Sequence, residues 1–333
     1  MLHSDLPRLL PPLPAQELSR PLHPASPTLL PLLPGERLHL EHTFRCGQIF
    51  RWRCFGDTWY GPHGPASLAV RLAAGGVEVR ALGPPVSVAN AWRFLGLDVP
   101  LAEVEHRLDA EEALGKALRA APGLRLLRQD PWQCLAGYIV SQWNNIPKIE
   151  LSTGRLASRW GNTHRWSEID PGAPDVDCFP APEALAPLSE EELRFSALGY
   201  RSRYLLETAR RLCGEETGLG TLASLSYNEA LRSLLKLPGI GRKVADCILL
   251  FALDQPHACP VDVWVRRVIH ELYPAELTAY LPDAASRAER ALTPREYEAI
   301  TQFAWDRWGR LAGYAQQYLF HTRRIGSIGP DLR

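Results

Sequence analysis

The sequence has no excess of charge of either sign and very little lysine. Its 37 basic and 37 acidic residues give a formal net charge of zero over 333 residues. Without an overall field that attracts a polyanion, any nucleic-acid site must come from a local cluster of residues. The four lysines are Lys116, Lys148, Lys236 and Lys243. A lysine at a structured turn is therefore an uncommon feature of this chain.

The sequence also lacks closely spaced cysteines and long apolar runs. The seven cysteines are odd in number and include no C-x-x-C pair, which argues against a disulfide framework and a cysteine-ligated metal. There is no run of 18 apolar residues, and the start lacks the basic and apolar segments of a signal peptide. We therefore expect an intracellular protein with no membrane partner, in the cytoplasm or nucleoid of a bacterium or the nucleus of a eukaryote.

Residues 1–34 are rich in proline, which occupies nine of these positions. Proline has no backbone N–H and interrupts both helices and central strands. The composition predicts a disordered tail that is loosely attached to the rest of the chain. A proline-rich docking segment is the functional alternative.

The pattern of apolar residues predicts an α+β chain. From residue 36 to 82 the apolar residues recur at every second position, as in antiparallel strands, and Gly75 and Gly76 mark a hairpin between the last two. From about residue 87 the spacing lengthens to that of helices. We predict a small antiparallel β-sheet with helices over 35–122, a mostly helical region over 123–325, and a C-terminal tail over 326–333.

The segment Leu237–Lys243, LPGIGRK, combines a glycine-rich turn with the start of a helix. The capping box SYNE at Ser226–Glu229 begins another helix before the turn, so the pattern predicts a helix-hairpin-helix. Glycine permits a tight turn and lets a phosphate approach the backbone N–H groups of a helix N-terminus. On the second helix, Lys243 and Cys247 share one face. A DNA clamp without chemistry explains the hairpin equally well.

Asp262 lies nineteen positions after Lys243. Ten helical residues rise about 15 Å, and the connection 254–261 spans up to about 26 Å. The chain can therefore return and place Asp262 beside Lys243, where an amine and a carboxylate would form a site for nucleophilic chemistry. Asp262 also precedes the amphipathic run 263–272, and a purely structural N-cap role accounts for it without chemistry.

Six segments together resemble the helix-hairpin-helix DNA glycosylases and, among these, the 8-oxoguanine DNA glycosylases. In chain order they are CGQIFRW at 46–52, NNI at 144–146, LGYRSRY at 198–204, LPGIGRKVADC at 237–247, PVDV at 260–263 and GYAQQYLF at 313–320. The resemblance covers residues 36–325. It implies an N-terminal sheet like that of the TATA-binding protein, a helical HhH-GPD region, and a monomeric DNA glycosylase and AP lyase that acts on duplex DNA containing 8-oxoguanine.

The resemblance also implies roles for individual residues. Lys243 would attack C1′ of the damaged nucleotide, expel the base and form a Schiff base that permits strand cleavage. Asp262 would stabilise the positive charge on the sugar while still capping its helix. The backbone carbonyl of Gly47 would accept the N7 hydrogen that 8-oxoguanine has and guanine lacks. The other residues of the damaged-base pocket would be Cys247, Phe251, Gln316 and Phe320, with Gln316 on the Watson–Crick edge and the base stacked between Phe320 and Cys247.

On the opposite strand the chain departs from the family pattern. The resemblance assigns Arg201 to the orphaned cytosine, and Asn144 and Asn145 to the loop that fills the vacated stack. Trp143 stands where the family has the first residue of an Asn-Asn-Asn run, and Lys148 stands where an arginine is expected. Because lysine lacks the bidentate fork of arginine, discrimination for an opposite cytosine would be looser. Trp143 is either a stacking wedge or a buried residue.

The hairpin and the segment after Asp262 would contact the DNA backbone. The positions concerned are Gly239, Gly241 and Trp264, of which Trp264 replaces a histidine that the family often uses. By the same resemblance a monovalent cation, K⁺ or Na⁺, would bind the hairpin carbonyls and bridge to a phosphate. These carbonyls are those of Leu235, Leu237 and Ile240. No other cofactor is expected, and the absence of a cysteine after Cys259 excludes an iron–sulphur cluster of the endonuclease III type.

Three hypotheses follow from the sequence. The first is a bifunctional glycosylase and AP lyase that removes 8-oxoguanine, with cytosine as the expected opposite base. The second keeps the chemistry but changes the base to another damaged purine. The third is a non-catalytic helix-hairpin-helix DNA-binding protein. Lys243 favours a lyase over a monofunctional enzyme, and Gly47, Cys247, Gln316 and Phe320 favour 8-oxoguanine.

Overall fold

A five-stranded antiparallel sheet forms the N-terminal part of the chain. The computed structural model describes residues 8–9, 13–214, 218–284 and 291–326. The strands are β1 (Thr28–Pro31), β2 (Arg53–Phe55), β3 (Thr58–His63), β4 (Ala66–Ala73) and β5 (Gly76–Leu82). They pair in the order β1-β5-β4-β3-β2. Val70 lies opposite Val79 and Leu72 opposite Val77, so the hairpin predicted at Gly75 and Gly76 is confirmed.

Both faces of the sheet are covered. On one face, apolar side chains of β4 and β5 pack with the helices α2 (Leu40–Arg45) and α3 (Val88–Phe94). On the other face, Tyr60 and Ala69 pack on Trp166, next to the short hairpin of β6 (Thr163–His164) and β7 (Val176–Asp177). Alternate residues therefore serve two different cores, as the period of two along a strand requires.

The strand predicted between residues 36 and 52 is wrong. Residues 40–45 form α2, because the side chain of His39 caps the helix at the N–H of His42, and Leu40, Thr43 and Phe44 share its buried face. Gly47 then takes a φ of +84° and turns the chain away from an extended path. The buried Gln48 donates its amide to the carbonyls of Thr43 and Arg125, and these bonds replace strand pairing.

The expectation of a disordered tail over 1–34 is corrected for residues 13–34. Helix α1 (Ala15–Ser19) and strand β1 are formed, and Leu22 and Leu30 are buried in the core of the sheet. Strand β1 lies at the edge of the sheet, where Pro31 needs no N–H for a second partner. Residues 1–7 and 10–12, and residues 327–333 of the predicted C-terminal tail, lie outside the described residues.

The rest of the described chain is mostly helical, which confirms the predicted α+β class. The helices are α4 (Leu101–Leu108), α5 (Glu112–Ala120), α6 (Pro131–Ser141), α7 (Ile146–Trp160), α8 (Pro182–Leu185), α9 (Glu190–Leu193), α10 (Arg201–Gly214), α11 (Tyr227–Leu234), α12 (Arg242–Phe251), α13 (Val263–Leu272), α14 (Pro274–Leu277), α15 (Pro294–Trp308) and α16 (Ala312–Arg324). Their apolar faces share one large core. None of the helices in the described ranges is long and apolar enough to span a membrane.

Candidate active site

The predicted helix-hairpin-helix is formed by α11, the turn 235–241 and α12. Ser226 and Glu229 make the predicted capping box at the start of α11. Gly239 has a φ of +72°, and a Cβ there would overlap the ring of Tyr204, so the turn needs glycine for its conformation and its packing. Gly241 is the N-cap of α12, and the space around its Cα is open. The first N–H groups of α12 therefore adjoin an unobstructed surface.

One face of α12 carries Lys243, Cys247 and Phe251 at intervals of four residues, and it is turned towards Tyr138 of α6. The Nζ atom of Lys243 lies 5.2 Å from the centroid of the Tyr138 ring, and the Phe251 ring stacks on the same tyrosine at 5.9 Å. Burial raises the pKa of the Cys247 thiol to about 11, although the charge of Lys243 opposes the shift. The amine therefore adjoins an aromatic ring and a thiol that stays uncharged at neutral pH.

Asp262 caps helix α13 with one of its two carboxylate oxygens. Its Oδ1 accepts from the backbone N–H groups of Trp264 and Val265, both at 2.9 Å, so the predicted N-cap is confirmed. Burial raises the pKa of Asp262, while the cap bonds and the charges of Lys243 and Arg324 act against that rise. Asp262 therefore lies within electrostatic range of Lys243, as the length of the connection allowed.

The turn at Gly47 is held against the helical region by two side chains. Tyr138 donates its hydroxyl to the carbonyl of Gly47 at 3.3 Å and to that of Gln48 at 3.2 Å. Gln317 of α16 donates its amide to the carbonyl of Cys46 at 2.9 Å. Tyr138 thus contacts the Gly47 turn and also the face of α12 that carries Lys243, and it brings the two predicted parts of the pocket together.

Helix α16 supplies the remaining wall. Gln316, Phe320 and Arg324 follow at intervals of four residues and share one face. Gln316 is only 4% exposed, and its Oε1 has no hydrogen-bond partner among the described residues. A buried carbonyl oxygen of this kind is costly unless a ligand binds it. The guanidinium of Arg324 lies 5.5 Å from the centroid of the Phe320 ring.

We expect Gly47→Ala to damage the pocket as well as the fold. A Cβ at this position would lie 3.3 Å from the Phe320 ring and 3.0 Å from Nη1 of Arg324, at a φ of +84°. The backbone strain costs about 1–2 kcal/mol of stability, and the displaced ring should slow the base excision that the family resemblance implies. The matched control is Gly35→Ala, because Gly35 has a similar φ of +82° with nothing within 4 Å. Thermal unfolding and single-turnover excision measure the two effects; equal excision rates in both variants would contradict the assignment of Gly47 to the pocket.

The loop between α6 and α7 contains the residues predicted for the opposite strand. Asn144 donates its amide to the carbonyl of Val140 at 3.2 Å, and Asn145 caps α7 by accepting from the N–H of Lys148 at 3.0 Å. Trp143, between this cap and the end of α6, is 95% exposed. It is therefore not a buried residue, and the exposed side chain of Lys148 follows it in the first turn of α7.

Arg201 lies below this loop and not at its surface. It is 7% exposed, and all three guanidinium nitrogens donate to backbone carbonyls. The acceptors are the carbonyls of Gln142, Trp143 and Leu198. In the structure Arg201 therefore holds the end of α6 and the Trp143 loop, and no guanidinium nitrogen is left without a protein acceptor.

The other predicted contacts are at the start of α13 and in the hairpin turn. The ring of Trp264 lies at the start of α13, with the guanidinium of Arg267 at 5.8 Å from its centroid. The carbonyl of Leu237 accepts from the N–H of Ile240 at 3.2 Å within the turn. Leu235 is the C-cap of α11, where the last carbonyls of a helix lack intrahelical partners. Across the described ranges, no cluster of three His, Cys, Asp or Glu side chains is arranged to hold a metal ion.

The sequence missed Tyr138 and Arg324. Tyr138 lies in the apolar stripe of α6, where an aromatic residue is typical of core packing, and nothing local distinguishes it. Arg324 carried a usable signal, because it is four residues after Phe320 and eight after Gln316 and so lies on their face of the helix.

Comparisons with known proteins agree with this geometry. The model of the 8-oxoguanine DNA glycosylase N-terminal domain matches residues 32–135, and that of the HhH-GPD superfamily of base excision DNA repair proteins matches residues 136–292. The N-glycosylase/DNA lyase OGG1 of Arabidopsis thaliana is 33% identical over 91% of this chain and 82% of its own. The N-glycosylase/DNA lyase of Saccharomyces cerevisiae is 30% identical over 72% of this chain and 67% of its own. A solved structure of the 8-oxoguanine glycosylase/lyase of Clostridium acetobutylicum matches this chain with a TM-score of 0.74 and 27% identity. The match covers 88% of this chain and 94% of the other, which was solved in complex with double-stranded DNA containing cytosine opposite 8-oxoguanine.

Proposed function

Since the chain belongs to the 8-oxoguanine DNA glycosylases of the HhH-GPD base excision repair superfamily, we propose that it excises 8-oxoguanine from duplex DNA and then cleaves the strand as an AP lyase. The observation that carries the proposal is that Lys243 lies at the Tyr138 ring, whose hydroxyl bonds the Gly47 carbonyl, with Asp262 within electrostatic range. All of these residues come from one polypeptide, so a monomer suffices. The enzyme acts in the compartment that holds its substrate, DNA.

Lys243 supplies the nucleophile in this proposal. The lone pair of the neutral Nζ attacks C1′, and the C1′–N9 bond breaks so that the base leaves with the bonding electrons. Loss of the amine protons and opening of the sugar ring give the Schiff base. Removal of a C2′ proton then expels the 3′ phosphate by β-elimination. The Tyr138 ring and the Cys247 thiol are the groups that adjoin Nζ on this face of α12.

Asp262 stabilises the positive charge that grows on the sugar as the base departs. Its cap bonds both use Oδ1 and fix the carboxylate relative to the start of α13. A fixed negative charge in a partly buried site interacts more strongly with a developing cation than the same charge would in water. The capping and catalytic roles of Asp262 are therefore compatible.

The choice of base rests on Gly47 and Gln316. The carbonyl of Gly47 accepts one hydrogen bond from Tyr138, and its second lone pair is available for the N7 hydrogen of 8-oxoguanine. Guanine has an acceptor at N7, which this carbonyl would repel. The orphaned Oε1 of Gln316 is an acceptor for an N–H on the Watson–Crick edge. The Phe320 ring and Cys247 are the surfaces between which the flipped base stacks.

The hairpin binds the DNA backbone. The open N-terminus of α12 accepts a phosphate through its free N–H groups and its positive dipole end. A monovalent cation would bind at the preceding turn through the carbonyls of Leu235, Leu237 and Ile240, which are oxygen donors of the kind that K⁺ and Na⁺ bind. Such an ion would add positive charge beside the phosphate. Trp264 contributes its ring next to Arg267 at the neighbouring helix start.

Borohydride trapping tests the proposed function directly. We expect sodium borohydride to give a covalent protein–DNA complex with a duplex that contains 8-oxoguanine opposite cytosine. An undamaged duplex of the same sequence should give none, because its base is not excised. A duplex with 7-methylguanine serves as the control for another damaged purine. Trapping with 7-methylguanine but not 8-oxoguanine would overturn the assigned substrate, and trapping with neither damaged duplex would overturn the glycosylase mechanism.

A further inference from the structure

Helix α15 contacts both of the helices that carry the proposed catalytic residues, although it contributes none of the pocket residues described above. Its first turn contains the adjacent residues Glu296 and Tyr297, which are 0% and 5% exposed. Lys243 lies on α12, and Asp262 is the N-cap of α13. The separation of the amine and the carboxylate therefore depends on how α12 and α13 are held relative to one another.

The hydroxyl group of Tyr297 bonds α12 and also the residue that precedes Asp262. It donates to Oδ2 of Asp246 at 2.6 Å, and its oxygen accepts from the N–H of Val261 at 3.3 Å. Burial and the nearby charge of Asp246 raise the pKa of this hydroxyl, so it stays protonated and donates. Asp246 lies three residues after Lys243 on α12. One oxygen atom thus links the neighbourhoods of Lys243 and Asp262.

Both groups that bond Tyr297 are buried. Asp246 is completely buried, and it also accepts from the hydroxyl of Tyr227 on α11 and from Nε of Arg242 at 3.1 Å. Val261 is 1% exposed, so its N–H has no access to bulk water. A buried N–H without an acceptor is costly. Loss of the Tyr297 hydroxyl would therefore force the backbone at Val261 to move towards another acceptor.

Glu296 attaches the same turn of α15 to α13. Its Oε1 accepts from Nε of Arg266 at 2.6 Å and lies 2.8 Å from Nε2 of His270. Both partners are on α13, the helix that Asp262 caps. Two adjacent residues of α15 therefore bond α13 on one side and α12 on the other.

We propose that Tyr297 is a positioning residue for the reaction, and that its hydroxyl holds the carboxylate of Asp262 in place relative to the amine of Lys243. The proposal deepens the proposed function and rests on it, because it presumes that Asp262 stabilises the charge on the sugar when the base departs. Since Tyr297 is buried, it acts on the reaction only through the residues that it holds. A displacement of about 1 Å in a catalytic site costs on the order of 100-fold in rate.

The test compares Tyr297→Phe with Tyr227→Phe in single-turnover excision of 8-oxoguanine opposite cytosine. Both variants keep the ring and lose one hydroxyl bond to Asp246, but only Tyr297 also bonds Val261. Arg242 keeps its own bond to Asp246 in Tyr227→Phe. Tyr297→Phe should slow excision about 10- to 100-fold, whereas Tyr227→Phe should stay within about threefold of the intact enzyme. Affinity for the DNA should be nearly unchanged in both variants, because neither hydroxyl is at the surface.

Two measurements show whether Tyr297 acts through Asp262. In the Asp262→Asn background, Tyr297→Phe should cost less than about threefold, because the charge that Tyr297 positions is already gone. Cleavage of a preformed abasic site uses Lys243 and involves no departing base, so it should fall less than excision does in Tyr297→Phe. The full loss in the Asp262→Asn background, or an equal loss in excision and in abasic-site cleavage, would overturn the proposal.

Hydrogen exchange at the amide of Val261 tests the link in the intact protein and needs no variant. This N–H should exchange as slowly as those inside α12, because it is buried and bonded to Tyr297. Exchange as fast as in an exposed loop would overturn the link even if Tyr297→Phe did not fold. If the intact enzyme excises nothing, the proposed function fails and this role fails with it. If it does excise and Tyr297→Phe is equally fast, only the role of Tyr297 is refuted.

Discussion

Lys243→Gln is expected to abolish the borohydride-trapped complex and to slow excision of 8-oxoguanine by a factor on the order of 10³ or more, as for other lost nucleophiles. Glutamine retains the length and polarity of the side chain but has no lone pair on an amine. The position is half-buried on the first turn of α12, and glutamine fits the same space, so the variant should fold, and binding to DNA should change far less than the rate.

Lys236→Gln provides the matched control for Lys243. It removes the same charge from the same hairpin, close to the end of α11, but from a side chain that is not on the pocket face of α12. We expect Lys236→Gln to weaken DNA binding slightly and to leave trapping intact. Trapping that persists in Lys243→Gln, or that disappears in both variants, would contradict the assignment of the nucleophile.

Asp262→Asn and Asp262→Ala should separate catalysis from capping. Asparagine retains an oxygen that accepts from the N–H groups of Trp264 and Val265, so stability should hardly change. The rate of excision should nevertheless fall by about 10²- to 10³-fold, because the fixed negative charge is gone. Asp262→Ala should lose a similar factor in rate and, in addition, about 1 kcal/mol of stability through the missing cap.

The pH dependence of the excision rate shows whether the ionised or the protonated form of Asp262 is the active one. Burial raises the pKa of this carboxyl above that of an ordinary aspartate. Since the ionised form is the one that stabilises a cation, excision should fall as the pH drops through this raised pKa. Asp262→Asn has no proton to gain at this position, so the part of the acidic limb that belongs to Asp262 should disappear. An unchanged acidic limb in Asp262→Asn, or a rate equal to that of the intact enzyme, would restrict Asp262 to its structural role.

The sequence was sufficient to predict those structural features that depend on residues close together in the chain. The capping box at Ser226, the glycine turn and the N-cap at Asp262 depend on residues within a few positions of one another, and the structure has all three. The hairpin at Gly75 follows from the same kind of information, since period-two alternation and a glycine turn set the register. The placement of Lys243 towards the pocket follows from helical periodicity once α12 is known.

Prediction from the sequence failed where contacts between distant segments of the chain determine the conformation or the role of a residue. Leu38 and Leu40 alternate in a way that suggests a strand, but His39 caps residues 40–45 as a helix, and Gln48 bonds to Arg125 from far along the chain. The role of Arg201 depends on carbonyls almost sixty residues away, which no local pattern predicts. Tyr138 could not be separated from its apolar neighbours, because its contacts with Gly47 and Lys243 exist only in the folded chain.

The central claim is that the amine of Lys243 forms the covalent bond to the damaged nucleotide, and peptide mapping of the reduced adduct tests it most directly. With only four lysines in the chain, the modified position can be assigned without ambiguity by mass spectrometry after digestion of the complex trapped on 8-oxoguanine opposite cytosine. The account predicts a deoxyribose-derived adduct on Lys243 alone. An adduct on Lys236, on Lys148 or on the N-terminal amine would contradict it.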